Sequence, residues 1–274
     1  MSISLKQMRH GTAILALGAS TSVAAGCAST ISTEQEMQLG AQYSAEINQQ
    51  LPIVQDPTVH RYINQLGSSI SGRVDPRGIP YTFYVVNSDV VNAFAVPGGY
   101  VYVNRGLIER AENLSELAGV MAHEIGHVVE RHSVEQMAKM QQAQIGVALG
   151  SILLGQPSQV AQLGVNVVGS AIFSGFSRDA EREADMDAVQ FLVLSGIDPR
   201  GIVTFFNQLL AEQERSPGGL EQWFSTHPLT TERIENVQAA IAALPPGTLG
   251  NLTTDTPAFQ EFKRRVRSLP APPS

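Results

Sequence analysis

The stretch Ala122-His123-Glu124-Ile125-Gly126-His127-Val128 lies inside a run whose apolar residues, Leu114, Leu117, Ala118, Met121, Ile125 and Val128, recur with the period of an α-helix. Asn113 stands where an N-cap belongs, with Glu116 three residues on. Four residues make about one helical turn, so His123 and His127 project from one side and can grip a single metal ion, with Glu124 beside it. Both histidines fall off the apolar stripe. That puts the pair at the edge of a buried helix, where a cleft site can form.

A catalytic zinc takes three protein ligands and keeps a fourth position open. One well-known solution places a third histidine six residues after the second with a glycine midway, but Ser133 and Glu130 occupy those positions. His132 follows His127 by five residues, which on a continuing helix turns it well away from the metal side. The third ligand must come from another segment. The best candidate is Ala180-Glu181-Arg182-Glu183-Ala184-Asp185, where Glu181 and Asp185 share a face one turn apart and Glu183 points roughly to the opposite side.

With both motifs in hand, the chain resembles the HtpX, BepA and CAAX-prenyl-protease family of zinc metallopeptidases, whose Glu-x-x-x-Asp helix follows a His-Glu-x-x-His helix. The resemblance implies an α+β, mainly helical zincin-type fold with a small sheet and hairpin beside the active-site helix. It implies one zinc per chain on His123, His127 and Glu181, with Asp185 as an outer-shell or transition-state residue. Asn92-Ala93-Phe94-Ala95-Val96-Pro97-Gly98-Gly99-Tyr100-Val101 resembles the family's hairpin, whose edge strand, carried here by Asn92, Ala93, Phe94 and Ala95, would pair with an extended substrate. Thr226-His227-Pro228-Leu229 through Arg233 resembles its downstream Thr-His-Pro segment and implies that His227 lies near the metal. The likeness covers roughly residues 33 to 242. It lacks the helical-repeat domain and membrane helices of other members, which points to the short lipoprotein members.

The beginning of the chain agrees. Lys6 and Arg9 precede an apolar, small-residue run from Gly11 to Ala25, the pattern of a secretory signal too short for a membrane span. Val23-Ala24-Ala25-Gly26-Cys27 resembles a bacterial lipobox in which Cys27, the single cysteine, becomes the lipidated first residue. Ala24 departs from the usual leucine there. Ala28 after the cysteine, by resemblance to Gram-negative lipoproteins, favours the periplasmic side of the outer membrane. The expected organisation is a signal over 1–26, a lipidated linker over 27–32, a metallopeptidase domain over 33–243 and a Pro-rich tail over 244–274.

Losing Lys6 and Arg9 takes the formal net charge from −7 to about −9. An acidic surface repels phosphates, so nucleic acid is excluded as a partner. Thr33-Glu34-Gln35-Glu36 reads as a capping box opening a polar helix that runs to about Gln50, and a second helix follows Asp56-Pro57 with Val59, Tyr62, Ile63, Leu66 and Ile70 on one face. Tyr81 to Val86, Asn92 to Val96 and Tyr100 to Asn104 read as strands, with Pro97-Gly98-Gly99 as a turn. The apolar stretch from Gln144 to Phe176 reads as two buried or lid-forming helices, since neither of its runs reaches the roughly 20 residues of a membrane span. Helices are expected from about Arg178 to Ser195, from Pro199 to Glu214 and after Pro228.

The function expected is a zinc endopeptidase of the bacterial envelope acting on extended or misfolded polypeptides, with Glu124 taking the proton of the metal's water. The alternative is a gated assembly or quality-control factor of the outer membrane with weak proteolysis, its cleft covered by the 144–176 segment or by His227. A non-catalytic lipoprotein scaffold is disfavoured by the intact Glu124.

Overall fold

The three-stranded sheet is ordered β1-β3-β2, where β1 is Thr82–Val86, β2 is Ala93–Val96 and β3 is Tyr100–Asn104. β3 pairs in parallel with β1, Thr82 opposite Tyr100, and antiparallel with β2, Ala93 opposite Val103. β2 therefore lies at an edge. The computed structural model describes residues 31–139, 175–215 and 220–272. The signal segment, Cys27 and nearly all of the 144–176 stretch lie outside them.

Alternation along the strands sorts side chains to two faces. Phe83, Val85, Ala93, Ala95, Val101 and Val103 enter the main core, while Val86, Phe94, Val96 and Tyr102 form a second cluster on the other face. α1 (Thr33–Gln50) covers that second face, where Tyr102 Oη donates to Ser44 Oγ at 2.9 Å. α2 (Pro57–Val74) starts on the Asp56 cap and buries Val59, Ile63, Leu66 and Ile70 against the main core. α3 (Arg105–Arg110) follows β3 directly, and α4 (Leu114–Val129) carries the two histidines. Asn113 caps α4 by accepting from the Glu116 N–H.

α4 is buried on every side from Leu114 to Val128, so it is the central helix rather than one with a solvated edge. α5 (Arg178–Leu194) and α6 (Arg200–Arg215) both pack against it, and the short α7 (Glu221–Thr226) and α8 (Thr231–Ala242) follow in the chain. A Cβ on Gly126 would lie 3.2 Å from Ala184 Cα, so small residues on both helices set how closely α4 and α5 approach.

Two expectations need correction. The cap of α1 is Ser32 with Gln35, one residue earlier than read. Glu36 is thereby freed from capping and is buried, its carboxylate accepting from Arg131 Nε at 2.8 Å, Arg77 Nη1 at 3.4 Å and the Gly98 N–H at 3.4 Å. The second concerns residues 244–274, read as a Pro-rich tail. They hold a 3-10 turn (Thr248–Asn251) and a helix, α9 (Pro257–Arg267), which buries Phe259, Phe262 and Val266 in the main core. Thr256 caps α9 and Pro257 occupies its first turn, where a proline costs no hydrogen bond. Each buried α9 side chain contributes roughly 1.5–3 kcal/mol, which is why this segment stays on the core. Among the described residues no helix is long and apolar enough to cross a membrane.

Candidate metal centre

His123, His127, Glu181 and His227 converge, each offering one ligand atom, and these atoms all lie within 4.8 Å of one another. All four are buried. α4 presents the two histidines one turn apart, α5 presents Glu181 from across the Gly126–Ala184 contact, and the C-cap position of α7 presents His227. His127 Nε2 lies 3.1 Å from His123 Nε2 and 3.4 Å from Glu181 Oε1. His227 Nδ1 lies 3.3 Å from His123 Nε2 and 3.1 Å from Glu181 Oε1.

Those separations bear on whether a metal fits. Tetrahedral ligands held at zinc's bond lengths stand roughly 3.3 Å apart, and four of the six donor pairs stand at 3.1–3.4 Å, within a cluster no wider than 4.8 Å. Protonation agrees as well. Burial holds the His127 imidazole well below its ordinary value, despite the Glu181 carboxylate beside it. Burial alone would raise Glu181, but the charge and hydrogen bond of His227, with the imidazoles of His127 and His123 close by, hold it well below the usual carboxylate range. A neutral imidazole and an ionised carboxylate are the forms in which these groups bind metals.

Asp185, one turn beyond Glu181, is not among the four. Its Oδ1 lies 2.9 Å from His123 Nδ1, which sets a carboxylate beside that nitrogen and leaves Nε2 facing the cluster. Burial would raise the Asp185 carboxyl, yet hydrogen bonds from Arg233 and His123 lower it. Glu124 is fully buried, and His227 Nε2 lies 3.3 Å from its Oε1. Burial pushes the Glu124 carboxyl above its usual range and Glu181 adds to the rise, against the opposing pull of His227, His123 and the backbone of Ala95. His227 moves the other way from burial, since the charges of Glu124 and Glu181 raise it above the ordinary histidine value.

Ala95 thus places the edge strand alongside Glu124. Asn92, just before β2, is fully buried, and neither its Oδ1 nor its Nδ2 has a hydrogen-bond partner among the described residues. It lines a recess with Asn104 and Gln222. Cys27 lies outside the described residues.

Four contacts of the cluster went unread in the sequence. Arg233 grips Asp185 and Glu181, Phe176 stacks on His127 with ring centroids 3.9 Å apart, Trp223 leans on His227 at 4.9 Å, and His132 lies 2.9 Å from His127 by their Nδ1 atoms. Arg233 had a visible signal. It follows Thr230 by three residues at the start of a helix and so sits on the side facing the preceding loop.

Residues 54–241 match peptidase family M48. The chain is 36% identical over 218 residues to the beta-barrel assembly-enhancing protease of Escherichia coli (strain K12), a span that covers 77% of this chain and 44% of that protein. It is 33% identical over 225 residues to the putative beta-barrel assembly-enhancing protease of Vibrio cholerae, covering 80% of this chain and 46% of that one. Over 180 residues it is 33% identical to the metalloprotease YcaL of Escherichia coli (strain K12), covering 65% of this chain and 66% of YcaL. The chain spans less than half the length of the assembly-enhancing proteases it matches. Well over half of the sequence matches the family, and the matched span contains every member of the buried histidine and carboxylate cluster: the chain belongs to peptidase family M48.

Proposed function

We propose that the chain is a zinc endopeptidase of the bacterial cell envelope, anchored through lipid on Cys27 and acting on extended or misfolded polypeptides. The observation that carries this reading is the buried set of His123, His127 and Glu181 with Glu124 adjoining it. A zinc ion held by those three would supply a water of lowered pKa and a Lewis acid for the scissile carbonyl. Glu124, its basicity raised by burial, takes the proton of the attacking water and passes it to the leaving nitrogen. Asp185 keeps His123 in the tautomer that presents Nε2. The β2 strand, with Asn92 just before it and Ala95 alongside Glu124, is the segment read here as the one an extended chain would pair with. Such pairing reads backbone rather than one side chain, which suits unfolded substrates. The relatives named for β-barrel assembly support an outer-membrane setting.

A second reading has its own support. His227 Nδ1 sits at the fourth corner of the cluster and Phe176 covers one side of His127. An imidazole in that corner excludes water, which makes the resting enzyme gated and allows an assembly or quality-control role with weak proteolysis.

The Glu124→Gln variant tests the main reading. It should bind one zinc per chain and lose cleavage of an unstructured polypeptide, and it should retain envelope proteins that the wild type releases as fragments. Full cleavage by the zinc-loaded variant would remove Glu124 from the mechanism.

A further inference from the structure

His132 and Glu183 extend the metal cluster toward solvent in a single line of hydrogen bonds. His132 Nδ1 lies 2.9 Å from His127 Nδ1, and His132 Nε2 lies 3.2 Å from Glu183 Oε2. The His132 side chain is 4% exposed and that of Glu183 is 56% exposed, so the line starts in water and ends on His127. We infer that His132 and Glu183 are positioning residues that set which ring nitrogen of His127 carries its proton, and through it the affinity of the site for zinc.

Donors must face acceptors along this line. A carboxylate only accepts, so His132 must carry its proton on Nε2 to donate to Glu183. His132 Nδ1 is then placed to accept the proton of the facing His127 Nδ1, an arrangement that keeps the lone pair of His127 on Nε2, the atom 3.4 Å from Glu181 Oε1 and 3.1 Å from His123 Nε2. Asp185 imposes the same pattern on His123 in one step. With both lone pairs aimed at a common point 3.1 Å apart, the two Nε2 atoms repel unless a cation sits between them. Both outer chains drive the site toward binding.

The backbone explains how His132 reaches this place. α4 ends at Val129, and Arg131 adopts a left-handed conformation with φ 61°. That break restarts the chain as a second helical segment over 132–139, with His132 turned back onto His127. The guanidinium of Arg131 is held by Glu36 of α1, which fixes the break.

This inference rests on the reading of His127 as a zinc ligand. Zinc dissociation constants of the full chain, measured by competition with a chromogenic chelator, test both. His132→Ala should weaken binding by roughly tenfold to a hundredfold, the usual cost of removing an outer-shell partner. Glu183→Ala should weaken it by up to about tenfold in the wild type and by nothing further in the His132→Ala background, because the carboxylate acts only through His132. His132→Gln, whose amide oxygen can still accept from His127, should recover part of the loss. A purely structural histidine would lower the stability of the metal-free protein without this non-additivity. The inference fails if His132→Ala binds zinc within about twofold of wild type, or if Glu183→Ala costs the same in both backgrounds. Should His132→Ala not fold, the surface variant Glu183→Ala decides alone, and an unchanged constant overturns the proposal. If instead the wild-type chain binds no better than His127→Ala, the metal reading itself falls.

Discussion

Both oxygens of Asp185 are held by Arg233, Nε to Oδ2 at 2.7 Å and Nη2 to Oδ1 at 2.8 Å, while Oδ1 also lies 2.9 Å from His123 Nδ1. Nη1 of the same guanidinium reaches Glu181 Oε2 at 2.5 Å. One arginine thus orients the carboxylate behind one candidate ligand and the carboxylate that is another. Its flat fork suits that task where a lysine's single point of charge does not. Phe206 supports the guanidinium from the side, 5.1 Å from carbon to ring centroid.

Arg233→Gln should therefore leave Asp185 and Glu181 buried without their counter-charge. Breaking a buried pair in this way costs about 3–5 kcal/mol, which denaturant unfolding of the metal-free protein would read. Added zinc should recover part of the loss by neutralising Glu181. A variant as stable as wild type without zinc would show that Arg233 is dispensable to the cluster.

Glu181→Ala should lower zinc content per chain, since it removes one of the three ligands proposed for the metal. Metal analysis after gel filtration is the measurement. If Glu181→Ala retains full zinc and Glu183→Ala loses it, the two residues have exchanged the parts given them here.

Local periodicity made much of this legible. The helical repeat from Leu114 to Val128 and the one-turn spacing of Glu181 and Asp185 depend only on near neighbours along the chain, and the cluster lies where those repeats put it. His132 was hidden because extrapolating a helix past Val129 ignores the left-handed turn at Arg131, which is itself stabilised by Glu36 from a distant helix. Glu36 was misread for a related reason. An acid early in a helix resembles a cap, and only the tertiary approach of Arg77 and Arg131 shows that it is buried. The last helix left better clues, since Thr256-Pro257 opens it and Phe259, Phe262 and Val266 follow at helical spacing. The prolines around that segment masked them.

Cys27→Ser should release the protein from membranes if lipid on that residue is the anchor, because no described helix can span a bilayer. Fractionation with a salt wash is the check. A variant that stays with the membrane would shift the anchor to the apolar stretch between residues 144 and 176.

His227→Ala should raise basal cleavage of an unstructured substrate. Its Nδ1 converges with the other three donor atoms, and in the gated reading truncation opens that place to an attacking water while His123, His127 and Glu181 remain. Turnover that falls with zinc content intact would instead make His227 a donor to the developing oxyanion. Unchanged rate and metal content would leave it a packing partner of Trp223.

The Asp187 carboxyl makes the stability of the metal-free protein depend on pH. Burial pushes its carboxyl up from 3.8 to about 6, with the charges of Glu130 and Glu183 adding to the rise and His123 opposing it. Its Oδ2 has no hydrogen-bond partner among the described residues. An acid whose folded value is raised binds its proton more tightly in the folded state. The metal-free protein should therefore be most stable below pH 3.8 as far as this group is concerned, lose stability as pH rises from there to about 6, and carry a constant penalty above. Half-burial leaves the group partly screened by water, so the penalty at neutral pH is on the order of 1–2 kcal/mol. Asp187→Asn removes it, and unfolding curves of the two metal-free proteins in chelator should converge near pH 4 and separate by pH 7, with the variant the more stable. Curves that separate in the opposite order would mean that the Asp187 carboxylate is stabilised in the folded chain by a partner that outweighs Glu130 and Glu183.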